Sequence, residues 1–298
     1  MNNFFSKKII LVILLLLVLG VGSFLFFTLG IHNAPDLSAD LVEQKVSETK
    51  HEVIGSSVEG RNIDTYTYGN GETHIAFVGG IHGGYEWNSV LLAYMFMDYL
   101  DKNIDTLPQN ITVTVIPSIN PDGVYKVVGK EGRFTSADMP EDGLALAGRF
   151  NANNVDLNRN FDCKWKPEST WKGNIVSAGS NAFSEPEAKA LQDFVSKNNP
   201  KAVIFWHSQS NAVYASECEK GILPETIDIM NAYSFASGYQ PVKSFDAYEI
   251  TGDAEGWLAS INIPAITVEL KTHEDIEWSK NLAGIKALFE YYKKEKLE

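Results

Sequence analysis

Residues Ile9 to Ile31 form an unbroken uncharged stretch of 23 residues, rich in Leu, Val, Ile and Phe. A helix buried in a globular core would show a polar face, and this segment shows none. At about 1.5 Å per residue it is long enough to cross a hydrocarbon layer of roughly 30 Å. It exceeds the roughly 7–15 apolar residues of a secretory signal. Around His32, Asn33, Ala34 and Pro35 there is no small-x-small cleavage site. The expectation is an uncleaved transmembrane signal anchor. Lys7 and Lys8 are the only charges ahead of it, so the positive-inside rule puts residues 1–8 in the cytoplasm as a short tail. The rest is then expected outside, in a single-pass protein of the cell membrane.

The charge divides along the same line. The whole chain carries 25 Lys+Arg against 38 Asp+Glu, a net of −13. Beyond residue 31, 23 basic residues face all 38 acids, a net of −15. Binding through phosphates needs clustered Lys and Arg, so nucleic acid is excluded as a partner. An acidic exterior instead attracts cationic peptides. With 44% hydrophobic residues the chain buries a proper core and is not a disordered tail. Two cysteines cannot staple a fold of this size. Cys163 and Cys218 are either a disulfide in an oxidising exterior or two separate thiols, and the sequence leaves both open.

Residues 32–50 are polar, mixed in charge and aperiodic, which reads as a juxtamembrane linker. From residue 51 to 298 strand-like and helix-like segments alternate as one domain. Ile63–Tyr68 and Thr73–Val78 are short β-prone runs around Gly69-Asn70-Gly71, a hairpin signal. Val90, Leu91, Tyr94, Met95, Met97 and Leu100 recur at helical spacing, and Ile111–Ile119 is a β-branched run ending in Asn120-Pro121-Asp122-Gly123, a turn by composition. Gly129–Ala182 reads as mostly loop. Ser184-Glu185-Pro186-Glu187 has capping-box spacing and opens a helix through Val195. Lys201–His207 and Ala265–Leu270 read as buried strands, with helices at Pro224–Ala236, near Gly252–Ser260, and along the Ile276 to Tyr292 stripe. This alternation predicts an α/β domain, a mixed and mostly parallel central sheet with helices on both faces.

Three strand ends carry polar residues that packing does not require. Gly79 to Trp87 holds His82 and Glu86 four positions apart in a glycine-rich turn. His207 directly follows the apolar run Ala202–Trp206. Glu269 stands inside the apolar Ala265–Leu270 strand, where a carboxylate is costly unless paired or given a task. Taken singly, each is as ordinary as a chance pair or a hydrogen-bonded structural residue. Together they gain weight, because open α/β sheets place ligands at the carboxyl ends of their strands. Two histidines and a glutamate make a common ligand set for one catalytic zinc ion. A further glutamate can then take a proton from the attacking water.

With these residues in hand the chain resembles the zinc carboxypeptidase family, the carboxypeptidase A type of metallopeptidase, from roughly Gly55 to Leu288. The resemblance is carried by ordered motifs: Gly-Gly-Ile-His82 through Glu86-Trp87; Asn120-Pro121-Asp122-Gly123; Val155-Asp156-Leu157-Asn158-Arg159-Asn160-Phe161; His207-Ser208; and Thr267-Val268-Glu269-Leu270. It implies that His82, Glu86 and His207 ligate zinc and that Glu269 is the general base. It also implies that Asn158 and Arg159 hold the substrate's free C-terminal carboxylate, a task suited to a guanidinium fork. Tyr248 matches the mobile tyrosine that closes over substrate, with Trp257 at the family's spacing. Arg149 and Arg133 both stand where the family has its carbonyl-polarising arginine, and Arg149 is preferred as nearer to Asn158. Glu255 falls in the pocket-lining segment, where it implies a preference for a C-terminal Lys, Arg or diaminopimelate. An exposed helix-surface glutamate is the competing account of that position. The chain departs from the family in having one extra residue between His82 and Glu86, which a glycine-rich loop can absorb.

The expected function is that of a zinc-dependent carboxypeptidase acting on extracytoplasmic peptides. Two readings compete with it. One is a related zinc deacylase of acyl-amino acids, whose members tend to lack the complete late tyrosine region and the Asn-Arg motif. The other is a membrane-tethered peptide-binding module without catalysis, which would be expected to lack a ligand or the base.

Overall fold

The computed structural model describes residues 49–140 and 144–294. The expected tail, anchor and most of the linker lie outside the described residues. Among those described, no helix is long and apolar enough to cross a membrane. The strands are β1 (Lys50–Ser56), β2 (Asn62–Tyr68), β3 (Thr73–Val78), β4 (Ile111–Ile116), β5 (Glu168–Trp171), β6 (Asn174–Ser177), β7 (Ala202–Ser208), β8 (Ala212–Ala215), β9 (Glu217–Cys218), β10 (Gly221–Ile222), β11 (Gln240–Val242) and β12 (Ala265–Leu270). The α-helices are α1 (Trp87–Lys102), α2 (Pro121–Val128), α3 (Pro186–Asn198), α4 (Pro224–Ser237), α5 (Ala254–Ser260) and α6 (Trp278–Lys294).

Eight strands build the central sheet in the order β1-β2-β4-β3-β7-β12-β8-β11. Its interior, β4-β3-β7-β12, is parallel throughout, and antiparallel pairs flank it. Period-two alternation sorts each interior strand between two cores. Ile75, Phe77, Ile204, Trp206, Ile266 and Val268 face α1, α4 and α6. Ala76, Val78, Val203, Phe205 and Ala265 face α3 and α5. Burial on both sides explains why these strands read as continuous apolar runs. The parallel strands β3, β7 and β12 end at one edge, and that edge carries the site.

Three local expectations fail. The Gly69-Asn70-Gly71 segment closes no hairpin, because β4 lies between β2 and β3 and pairs with both. A Cβ at Gly71 would fall 2.0 Å from the Asn110 carbonyl carbon, so the glycine lets this crossing approach the start of β4. Asn120-Pro121-Asp122-Gly123 is the beginning of α2: Asn120 accepts from the Gly123 N–H at 2.8 Å and Pro121 occupies the first turn. The capping box before α3 does not form. Glu185 is itself the N-cap without a side-chain cap bond, since Glu185 and Glu187 accept instead from Asn151, Asn153 and the Val58 N–H. The middle region is mostly irregular as expected, yet it contains the β5–β6 hairpin, whose Lys172 and Gly173 both have positive φ.

Candidate metal centre and active site

His207 and Glu269 are the next-to-last residues of β7 and β12, and the two are register partners in neighbouring parallel strands. Their side chains therefore project side by side from one face. His82 and Glu86 arrive from the turn after β3, where residues 83–86 form a single 3-10 turn. Gly83, with φ +45, absorbs the extra residue between these ligands. A Cβ there would meet the Gly148 carbonyl oxygen at 2.6 Å and Gly123 Cα at 2.9 Å. The turn is thus seated on the backbone of α2 and of the segment leading to Arg149.

His82, Glu86 and His207 are all buried, and one ligand atom from each lies within 4.8 Å of the others. His82 Nδ1 is 2.8 Å from Glu86 Oε1 and His207 Nδ1 is 3.0 Å from Glu86 Oε2. Both imidazoles turn their other nitrogen to a carboxylate, His82 Nε2 to Asp156 Oδ1 at 3.4 Å and His207 Nε2 to Glu255 Oε1 at 3.1 Å. Carboxylates behind ligating histidines orient the rings and raise their basicity. Glu86 Oε2, though close to His207, has no well-aligned donor. Burial would raise the Glu86 pKa, but the imidazoles of His82 and His207 outweigh it and hold the carboxyl below its ordinary range. The donor set, its burial and its supporting carboxylates fit a single zinc ion.

Around this triad lies a cleft of about 470 Å³. Glu269 lines it with one oxygen buried and unpaired, and burial, then the Glu86 charge, push its pKa up to about 8. Arg149 is 2% exposed, its Nη2 donating to Asp156 Oδ2 at 2.8 Å and its Nη1 lying 3.8 Å from Glu86 Oε1. Against the opposing cost of burial, the Arg149 charge, helped by His82, keeps Asp156 well below the usual carboxylate range. Arg133 is at the surface, paired with Asp98 at 2.8 Å and 48% exposed. Of the two candidate arginines, Arg149 is the one at the triad.

Asn158 and Arg159 line the same cleft. Asn158 Oδ1 accepts from the Ala254 N–H at 2.8 Å, and Arg159 is buried with its Nε unpaired. Tyr248 reaches the cleft from the segment before α5, its ring 4.8 Å from that of Phe245. Glu255 is buried in α5 and not on its exposed surface; its Oε1 also accepts from Thr267 Oγ1 at 3.1 Å. Asp253 caps α5 beside it, and burial with the Glu255 charge raises its pKa to about 6. Cys163 and Cys218 are bonded, tying the Arg159–Cys163 segment to β9.

Several cleft residues carry no sequence signal of their own. Asp156 stands inside a quoted motif, but only the fold puts it behind His82. Asp253, Tyr85, Trp171 and Lys172 come from the α5 cap, the ligand turn and the β5–β6 hairpin. The Arg149 guanidinium stacks 4.1 Å from the Trp171 ring.

The sequence model of the zinc carboxypeptidase family matches residues 37–280. Gamma-D-glutamyl-L-diamino acid endopeptidase 1 of Lysinibacillus sphaericus is 28% identical over 240 residues, 73% of this chain and 59% of that protein. The catalytic chain of carboxypeptidase N from Homo sapiens is 35% identical over 121 residues, 36% of this chain and 25% of that one. The chain therefore spans well under two thirds of the length of these relatives. Among solved structures, murein-tripeptide amidase MpaA from Escherichia coli O157 superposes with a TM-score of 0.58 at 23% identity, covering 80% of this chain and 91% of that one, which establishes a shared fold.

Proposed function

Because this chain belongs to the zinc carboxypeptidase family, we propose that it is a zinc-dependent peptidase that hydrolyses the bond before the C-terminal residue of extracytoplasmic peptides, with preference for a cationic or diamino acid at that end. The observation that carries the reading is the convergence of His82, Glu86 and His207 with the unpaired Glu269 carboxylate on one cleft. Zinc held by His82, Glu86 and His207 would act as a Lewis acid and lower the pKa of water. The remaining work belongs to the chain. Arg159 and Asn158 grip the terminal carboxylate and so fix which bond is presented. Glu269, whose buried and unpaired oxygen lies at the cleft, takes the proton of the attacking water and delivers it to the leaving amine. Arg149, already oriented by Asp156, offers its guanidinium to the charge that develops on the scissile carbonyl oxygen. Tyr248 closes over the substrate.

The preference for a cation is supported by the acids of α5. Glu255 and Asp253 both line the cleft, and Glu217 and Glu249 add charge to its wall. The relative named for diamino acids is consistent with this chemistry. An extracytoplasmic site is supported by the bonded cysteines, which suit an oxidising compartment, and by the apolar stretch 9–31.

The test uses the full zinc-loaded chain and its Glu269→Gln variant on matched peptides ending in Lys, diaminopimelate and Phe. The expected result is one zinc per chain in both proteins. C-terminal release should fall by about 10²–10⁴-fold in the variant, and wild type should favour the cationic ends. Equal release by both proteins would refute the role of Glu269, and faster release of Phe would refute the preference.

A further inference from the structure

Asn88 is fully buried in the first turn of α1, two residues after the ligand Glu86. A buried amide is costly unless its hydrogen-bonding groups are met, and here two other segments of the site meet them. Its Nδ2 donates to the carbonyls of Thr272 at 2.7 Å and Asp275 at 3.0 Å, in the loop that follows β12. Its Oδ1 accepts at 3.0 Å from the Oγ of Ser208, the buried residue directly after the ligand His207. One side chain therefore joins the turn that carries Glu86, the end of the strand that carries His207, and the chain leaving the strand that carries Glu269.

The direction of each bond follows from the donors available. Turning the Asn88 amide over would set its oxygen against two carbonyl oxygens, so Nδ2 faces them and Oδ1 is left to accept. Ser208 has one hydroxyl proton, and it goes to Asn88. His273 Nδ1, 2.6 Å from the same Oγ, must then carry a proton and donate it. His273 also sets its ring 4.6 Å from that of Tyr85, the residue before Glu86. The two ligand segments are thus bridged twice, directly by Asn88 and Ser208 and indirectly through His273. The loop that supplies these bridges is itself braced. Thr272 Oγ1 accepts from the Glu274 and Asp275 N–H groups, both at 3.3 Å, and Glu277 accepts from the Lys271 N–H at 2.7 Å.

Asp156 and Glu255 stand behind the imidazoles and turn the rings, but turning a ring does not set how far apart the segments carrying Glu86 and His207 lie. We propose that Asn88 and Ser208, with His273 as the donor to Ser208, are positioning residues that clasp the turn bearing Glu86 to the strand end bearing His207, so that the ligands are spaced for the ion before it arrives. Glu86 Oε2 and His207 Nδ1 stand 3.0 Å apart in the clasped arrangement. A site spaced in advance spends little of its binding free energy on ordering its own ligands. The inference rests on the metal reading of the triad and adds the device that holds it in shape.

The test reads metal binding, not turnover, on the full chain. Competition with a chelator gives the zinc affinity, and cobalt(II) loaded in place of zinc reports ligand geometry through its visible absorption bands. Ser208→Ala and Asn88→Ala should each weaken zinc binding by about 10–100-fold, the usual range for groups that support metal ligands, and each should shift the cobalt bands. Because the two residues share one bond, the double variant should lose less than the sum of the single losses. Ser208→Thr, which keeps the hydroxyl, should restore most of the affinity. If Asn88→Ala does not fold, the Ser208 pair decides alone. A folded Ser208→Ala protein with wild-type zinc affinity and unchanged cobalt bands overturns the inference, even if its melting temperature falls, and so do strictly additive losses. If wild type itself binds neither zinc nor cobalt, the metal reading fails and this inference with it.

Discussion

His207 presents Nδ1 to Glu86 and Nε2 to Glu255, so the carboxylate that lines the substrate cleft also sits 3.1 Å behind a metal ligand. Glu255 has two tasks open to it, and they respond differently to substitution. Burial opposes its charge, but the hydrogen bond from His207 wins and keeps its pKa below the ordinary value. It is therefore a carboxylate that orients an imidazole whether or not it also meets a substrate cation.

Glu255→Gln should weaken zinc binding by about 10–100-fold, the usual cost of losing a carboxylate behind a ligating histidine. Competition with a chelator measures this without any turnover. If zinc affinity is unchanged and only the preference for a cationic C-terminal residue disappears, Glu255 serves the substrate alone.

On the proposed mechanism Arg149→Ala should lower kcat by about 10²–10³-fold with KM little altered, because its charge would be needed where the oxyanion develops. Arg149→Lys should recover only part of that loss, since an ammonium cannot bind Asp156 and face the cleft with one rigid plane. Steady-state kinetics on a peptide ending in lysine make the comparison, and a loss confined to KM would contradict it.

The Cys163–Cys218 bond spans 55 residues of sequence and joins two walls of the cleft. Replacing both cysteines by serine should cost roughly 2–4 kcal/mol of stability, read from denaturant midpoints. Thiol titration of the unfolded, unreduced chain should find none, and two titratable thiols would refute the bond.

Glu277 accepts from the Lys271 N–H at 2.7 Å and the Tyr239 hydroxyl at 2.8 Å, and pairs with Lys280 at 3.0 Å. Partial burial works against its charge, but these partners prevail and lower its pKa. A lowered folded pKa contributes stability above the unfolded value, near 4.3, and that contribution is lost as pH falls through the folded value. Glu277→Gln should therefore melt roughly 2–4 °C below wild type at pH 7, about what 1 kcal/mol produces in a domain of this size. The gap should close as the medium is acidified below the ordinary glutamate range. A gap that stays constant down to pH 3 would show that the charge is not what matters.

Much of the architecture was legible in the chain because its signals are local. Continuous apolar runs marked β3, β4, β7 and β12, and helical spacing marked α1 and α6, since burial on one or both faces leaves a periodic trace. His82, Glu86, His207 and Glu269 stood out for the opposite reason, as polar groups at or inside strands where packing did not need them. What stayed hidden is pairing. Gly69-Asn70-Gly71 looks like a hairpin in any window of a few residues, and nothing in that window says that β4 will take the place beside β2. Asn120-Pro121 looked like a turn because an N-cap and a turn use the same residues for the same hydrogen bond.

The sequence by itself determined the interior strands, the longer helices, the candidate metal-binding residues and the family to which they point, each through a pattern contained in one short segment. Tertiary structure alone decided that Asp156 and Glu255 stand behind the two imidazoles, that Arg149 and not Arg133 faces the cleft, that Cys163 meets Cys218, and that Lys172 ends beside Tyr85. The physical reason is that these relations join side chains from distant segments. Their meeting is set by the order of strands in the sheet and by loops seated on that edge, which leave no periodic mark on any one stretch of the chain.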